Sequence, residues 1–268
     1  MPTKFYQIIK NQAGRNPDKP AVIEGDTALS YRNLLESVES FAANLTTLPL
    51  TPKSKLGILC VNQKENLIAL LGAFLSGVPV VPLSPLLKQD DLVFIVKDAS
   101  IDIMLINGSF IKPEMVPFFK IFQVLLVTKP YSSSTLASLN AQSFDAFLIQ
   151  DKKLKPHNRA RGIPDMLLYT SGTTARPKGV MLEESQFYAN TGAFMKYLGF
   201  NPDERCIVAL PMFHSFGNIM VLTILRAGGT LVLIPQFQPK AILHKIAEHK
   251  ASVLPLVPTI YNYFFGAH

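Results

Sequence analysis

The sequence predicts an α/β protein built from two βαβ-type subdomains, each a mainly parallel sheet flanked by helices. From Ala21 onward, short runs rich in aliphatic and β-branched residues alternate with longer runs of helical periodicity. The runs ILCV, VPVVPL and IMLI are almost continuously apolar, as strands buried on both faces are, and helical crossovers between them force parallel pairing. A chain of 268 residues with 48% hydrophobic residues can bury the cores that such sheets need.

In chain order, MPTKFYQIIKNQAGRNPDKP reads as a short amphipathic helix ended by Asn16 and Pro17, with neither the apolar core nor the cleavage site of a secretory signal. AVIEGDTALSY reads as a hairpin. YRNLLESVESFAANL then puts Leu34, Leu35, Val38, Phe41, Ala42 and Leu45 on one helical face. KLGILCV is a strand, KENLIALLGAFLSG a helix closed by Gly77, PVVPL a strand, QDDLVFIVKDA a helix and DIMLI a strand. Asp90 and Asp91 belong to the first turn of that second helix, where acids favour the dipole. The segment from Lys129 to Asp165 is looser, with a serine triplet, a short strand AFLI and a basic stretch, and is expected to link the subdomains. Alternation then resumes: MLLYT as strand, a glycine-rich loop, a helix from about Glu183 to Leu198, CIVALP as strand, NIMVLTILRAGG as helix, TLVLIP as strand, PKAILHKIAEHKA as helix and SVLPLV as strand. The resulting division is a first α/β subdomain over about 1–130, a linker over about 131–165 and an incomplete second subdomain over about 166–268.

Composition narrows the function classes less than the motifs do. The net charge of +7 suits an anionic ligand, nucleic acid or an acidic membrane surface about equally. The densest basic stretch, Lys152, Lys153, Lys155, Arg159 and Arg161, lacks interleaved aromatics and reads as a solvated linker, so no nucleic-acid partner is expected. Cys60 and Cys206 sit inside expected strands and form no CxxC pair, which fits reduced structural thiols of a cytoplasmic protein. Two long uncharged stretches, Asn66 to Leu87 and Cys206 to Leu225, are interrupted by Gly and Pro and split better into strand and helix than into membrane spans. Peripheral contact with a membrane stays open.

The chemistry concentrates in Thr170, Ser171, Gly172, Thr173, Thr174, Ala175, Arg176, Pro177, Lys178 and Gly179, between a strand and a helix. Glycine admits close approach of backbone amides to an anion, the hydroxyls donate to its oxygens, and Lys178 supplies a compact positive charge. A Walker A loop would need G-x-x-x-x-G-K-[ST], whereas Pro177 holds its second glycine position and Gly179 follows the lysine. There is no G-x-G-x-x-G. Taken without context, a loop of this composition would be a surface linker.

YTSGTTARPKGVM resembles the signature of the adenylate-forming (AMP-binding) superfamily of acyl-CoA synthetases, nonribosomal adenylation domains and beetle luciferases. ALPMFHSFGN resembles the second landmark of that superfamily, and AGGTLVLIPQFQPKAILHKIAEHKASVLPLVPTIYNYF the third. The resemblance runs from about Tyr31 to the last residue, and before Met166 it is one of architecture. Alanine stands at position 175 where the usual signature has glycine, a change worth about 1 kcal/mol if the loop needs positive φ there.

The resemblance implies part of the large N-terminal domain of an acyl-CoA synthetase-like enzyme. It implies that the loop from Thr170 to Lys178 binds the β- and γ-phosphates of ATP, with Thr173 contacting Mg²⁺ and Lys178 and Thr173 acting in catalysis. It implies too that His214 and Phe213 line the substrate pocket near the carboxylate. By itself, a lone histidine between Phe213 and Phe216 reads as a packed core residue. His157, His244, His249 and His268 have no ligand spacing. The implied reaction joins a small-molecule carboxylic acid to ATP, giving an acyl-adenylate and pyrophosphate, then a thioester with coenzyme A. The apolar run through Phe213, Phe216, Met220 and Leu222 leans towards a fatty or aryl acid.

The superfamily's adenine, ribose and hinge segments and its small C-terminal domain with the adenylation lysine are not found in these residues, and PTIYNYFFGAH ends in an apolar run that reads as the start of a helix. An incomplete portion of a longer enzyme, inactive without its C-terminal part, is therefore expected. The alternatives are an amino-acid adenylating domain, or a non-catalytic nucleotide-binding or interaction module.

Overall fold

The computed structural model describes residues 3–149, 153–155, 161–170 and 176–264. Its strands in chain order are β1 (Pro20–Glu24), β2 (Thr27–Ser30), β3 (Lys55–Leu59), β4 (Val80–Pro82), β5 (Ile101–Asn107), β6 (Val124–Thr128), β7 (Gln142–Ser143), β8 (Met166–Thr170), β9 (Lys178–Leu182), β10 (Arg205–Val208) and β11 (Thr230–Leu233). Its α-helices are α1 (Lys4–Arg15), α2 (Tyr31–Leu45), α3 (Lys64–Ser76), α4 (Gln89–Asp98), α5 (Val116–Phe119), α6 (Ser133–Leu139), α7 (Phe144–Leu148), α8 (Glu184–Leu198), α9 (Ser215–Ala227), α10 (Pro239–His249) and α11 (Pro258–Phe264). The described chain forms two compact units, neither continuous in sequence.

The first unit comprises Met1–Tyr6, Glu36–Cys60 and Glu65–Glu184. Its seven-stranded sheet has the order β7-β6-β5-β3-β4-β8-β9, parallel except for the β8–β9 pair. The continuous apolar runs of β3, β4 and β5 are buried along almost their whole length, as the parallel arrangement requires. α3 is apolar all round and buried from Asn66 to Ser76, so it is a core helix and crosses nothing. Close packing of α2 on α3 explains Gly72, where an added Cβ would stand 2.7 Å from the Phe41 ring. A short polar relay ties distant segments together. Asp165 Oδ2 accepts the Glu184 N–H at 2.7 Å, and the buried Glu184 carboxylate accepts the Phe5 N–H at 2.8 Å and the Lys4 N–H at 3.2 Å. Burial pushes the Glu184 carboxyl above its ordinary range, against those donors, which pull it down.

The second unit comprises Gln7–Leu35, Val61–Lys64 and Ser185–His268. Its sheet has the order β10-β11-β1-β2, with β10, β11 and β1 parallel and the β1–β2 hairpin antiparallel. Ile207, Ala209, Val232, Ile234 and Ile242 form one hydrophobic cluster in it. Tyr31 is fully buried, and its hydroxyl donates to the Gly229 carbonyl at 2.7 Å, just past the left-handed cap at Gly228 that ends α9.

The structure departs from the sequence reading at particular elements. AFLI, expected as a strand, falls in α7 and its C-terminal cap: Ser143 caps the helix by accepting the Ala146 N–H, Phe144 stacks on Phe41 at a ring distance of 5.5 Å, and Phe147 meets Phe41 edge-on at 5.4 Å. The serine triplet likewise opens α6, with Ser132 as its cap. SVLPLV yields no regular strand, only a single parallel bridge from Val253 to Cys206, because Pro255 has no N–H for a ladder. β6, β7 and β9 were not expected from the sequence; β9 occupies residues read as the end of the loop.

Candidate functional site

In the first unit, β8 runs parallel to β4 and delivers its last residue, Thr170, to the carboxyl end of the parallel strands, where open α/β sheets present their ligand loops. The chain returns as β9, antiparallel to β8, with Tyr169 opposite Gly179 and Thr170 opposite Lys178. Thr170 and Lys178 therefore stand across the mouth of one hairpin, and both are exposed. Lys178 forms no ion pair among the described residues. Ser171, Gly172, Thr173 and Thr174, together with Ala175, lie outside the described residues. The Tyr169 ring lies across Gly179: an added Cβ would be 3.1 Å from Tyr169 Cζ, closer than an ordinary contact.

Two residues of α4 reach this hairpin. The Tyr169 hydroxyl donates to Asp98 Oδ2 at 2.5 Å, and burial followed by the Asp98 bond pushes the phenol well above its ordinary range. One helical turn earlier, the Phe94 ring lies under the Arg176 guanidinium at 5.2 Å. Neither Asp98 nor Phe94 was singled out from the sequence. Asp98 did carry a signal: an acid in the last turn of a helix opposes the dipole by roughly 0.3–1 kcal/mol and implies a partner.

In the second unit, the segment after β10 also leaves from the carboxyl end of parallel strands and carries Met212, Phe213 and His214 into α9. Asn62 holds this segment. Its Nδ2 donates to the carbonyls of Val208 at 3.0 Å and Leu210 at 2.9 Å, and its Oδ1 accepts the Met212 N–H at 2.8 Å. Asn62 is 6% exposed and was missed by the sequence reading, because an asparagine after a strand looks like an ordinary turn residue. His214 is exposed, so the packed-core reading of it is corrected: it caps α9 with Nδ1 facing the Phe216 N–H at 3.4 Å, and its own N–H donates to the Pro211 carbonyl at 3.1 Å. Phe213 is half-buried, and Phe216 lies 6.5 Å from the Phe194 ring. Met220 and Leu222 are interior. The glycine of HSFG has a steric reason, since a Cβ at Gly217 would be 2.2 Å from the Pro211 carbonyl oxygen.

Cys60 and Cys206 are free and buried, and burial pushes both thiols up, Cys206 to about 12, which makes them unreactive. Among the described residues, no group of three or more His, Cys, Asp or Glu is placed to hold a metal, and no helix is long and apolar enough to cross a membrane.

A parallel α/β scaffold with a glycine- and hydroxyl-rich loop closed by a hairpin at its carboxyl end defines an acyl-CoA synthetase-like N-terminal fold. The chain belongs to the AMP-binding enzyme family, whose model matches residues 9–268. It is 27% identical to the long-chain-fatty-acid–CoA ligase of Bacillus subtilis over 97% of its own length and 51% of that protein. Among solved structures, it resembles the N-terminal domain of FACL13 from Mycobacterium tuberculosis with a TM-score of 0.82 and 18% identity, covering 99% of this chain and 65% of that one. It also resembles the o-succinylbenzoate coenzyme A synthetase of Bacillus subtilis in complex with ATP and magnesium, with a TM-score of 0.78 and 23% identity, covering 100% and 67%. The chain spans about half the length of the curated relatives it matches.

Proposed function

We propose that this chain supplies the phosphate-holding loop and part of the acid-binding region of an enzyme that activates a carboxylic acid with ATP, forming an acyl-adenylate and pyrophosphate and then a coenzyme A thioester. The observation that carries the reading is the hairpin that closes the YTSGTTARPKGV loop with Thr170 and Lys178 across its mouth, in a chain of the AMP-binding family. In this reading, Thr170, Ser171, Gly172, Thr173, Thr174 and Lys178 hold the β- and γ-phosphates, and Thr173 contacts Mg²⁺. The donor set fits the group: an exposed ammonium with no ion pair among the described residues, in a segment whose sequence is rich in hydroxyls and glycine, suits a polyphosphate. ATP supplies the α-phosphorus that the acid attacks and a pyrophosphate that leaves.

No general base is required of this chain, since a carboxylic acid of pKa about 4 is already ionised at neutral pH. What Lys178 must do is offset charge on the departing phosphates and hold them in line. His214 and Phe213 are assigned to the acid-binding region. A fatty or aryl acid is favoured, a choice supported by the half-buried Phe213 and Phe216 and by relatives named for long-chain fatty acids and o-succinylbenzoate. The remaining site residues are assigned to the C-terminal part of the same cytoplasmic enzyme.

Titration of the 268-residue chain with Mg·ATP tests the core of the proposal. Lys178→Gln is expected to weaken binding about tenfold or more, as loss of a charge-assisted phosphate contact does. Equal affinity of the two proteins would refute the assignment. Because the chain spans about half of its relatives, ATP–pyrophosphate exchange by it alone is expected to be absent, and robust exchange would refute the division of labour.

A further inference from the structure

We infer that α4 is the brace of the phosphate loop, with Asp98 and Phe94 acting as positioning residues on its two ends; this rests on the proposed reading of that loop. Asp98 and Phe94 stand one turn apart on α4 and so share a face. One takes the residue before the loop: Tyr169 Oη reaches Asp98 Oδ2 at 2.5 Å. The other takes Arg176, two residues before Lys178: its guanidinium lies over the Phe94 ring at 5.2 Å. Both ends of residues 170–175 are thereby referred to a single rigid element, which is itself anchored in the core by Leu92, Ile95 and Val96.

The need for a brace follows from the exposure of β9. It is an edge strand whose residues Lys178 to Met181 are exposed, so the ladder to β8 is its main attachment. Gly179, opposite Tyr169, adds no side chain that could hold the strand. The Tyr169 ring laid across Gly179 and tied to Asp98 provides that attachment instead. Fixing Tyr169 and Arg176 presets where the two strands deliver Thr170 and Lys178, and preorganisation of that kind gains affinity for a polyphosphate.

The test uses the 268-residue chain with inorganic triphosphate and Mg²⁺ as the probe, alongside hydrogen exchange of the β9 amides. The variants are Asp98→Asn, Tyr169→Phe, the double variant, Phe94→Leu and Asp98→Glu. Asp98→Asn and Tyr169→Phe are each expected to weaken triphosphate binding roughly 3- to 10-fold, and the double variant no more than either, because they share one bond. Exchange at Lys178–Leu182 should rise in each while the melting temperature stays within about 3 °C of the parent. Phe94→Leu should loosen the same amides, and Asp98→Glu, which keeps the carboxylate, should recover part of the affinity. Unchanged β9 exchange in both single variants, or fully additive losses in the double, would overturn the brace. If the parent chain binds no triphosphate, the phosphate reading of the loop falls, and the brace falls with it if β9 exchange is also unchanged.

Discussion

Gly217→Ala places a methyl group where the backbone leaves no room. The new Cβ would lie 2.2 Å from the Pro211 oxygen, 2.8 Å from its carbonyl carbon and 3.4 Å from the Leu210 oxygen. The first distance is about 1 Å inside a normal contact, and the opposing atom is backbone that cannot swing aside as a side chain could. The same carbonyl accepts the His214 N–H at 3.1 Å, and the segment behind it is held by Asn62, so relief must shift the turn into α9. Overpacking of this kind costs about 3 kcal/mol, and the better helix propensity of alanine returns up to about 1. A net loss of about 2 kcal/mol corresponds to a melting temperature lower by roughly 4–8 °C. Gly14→Ala in α1 is the control, since a Cβ there meets nothing within 4 Å; it should be neutral or stabilising by up to about 1 kcal/mol. Thermal melts would be read together with the imidazole resonances of His214. A Gly217→Ala protein that melts with the parent and keeps those resonances unmoved would refute the steric reasoning.

Asn62→Ala removes three hydrogen bonds and leaves the Leu210 carbonyl and the Met212 N–H without that partner, while the Val208 carbonyl keeps the Ile234 N–H at 3.2 Å, so a loss of about 2–4 kcal/mol in urea denaturation is expected, with a shift of the His214 resonances. A loss below about 1 kcal/mol would show the segment to be held otherwise. Tyr31→Phe should cost about 1–2 kcal/mol by leaving the Gly229 carbonyl without its donor, measured in the same assay. For Glu184 the folded carboxyl is raised above its unfolded value, so the folded state holds the proton more tightly. Its ionisation then costs stability, with the loss developing as pH rises from the ordinary glutamate range through the raised value and constant above it. The melting temperature of Glu184→Gln relative to the parent should therefore climb across that window, and a difference independent of pH would refute the shift.

Much of the fold was legible because its signals are local. The apolar stripe of α2, the acid-led run of α4 and the continuous apolar strands β3 and β5 follow from local pattern, and the stripe of α2 is buried at Leu34, Val38, Phe41, Ala42 and Leu45 and half-buried at Leu35. Where two local signals competed, the sequence reading went wrong. AFLI has the composition of a strand, yet the Ser143 cap and the spacing of Phe144 and Phe147 against Phe41 favour a helical turn. β9 offers little alternation, and only its five-residue ladder to β8 makes it a strand.

For the loop, composition alone read as a linker, and it was the resemblance of YTSGTTARPKGVM to a family signature that pointed to phosphate. What tertiary structure alone decided is the company these residues keep. β1 pairs with β11 across most of the chain, Asn62 serves a segment some 150 positions away, Asp98 receives Tyr169, and His214 stands exposed at a helix cap. Periodicity and propensity describe a residue by its neighbours in sequence, whereas a ladder partner, a buried amide's acceptors and a clash at Gly217 depend on which backbone arrives from elsewhere, and that is settled only when the chain has folded.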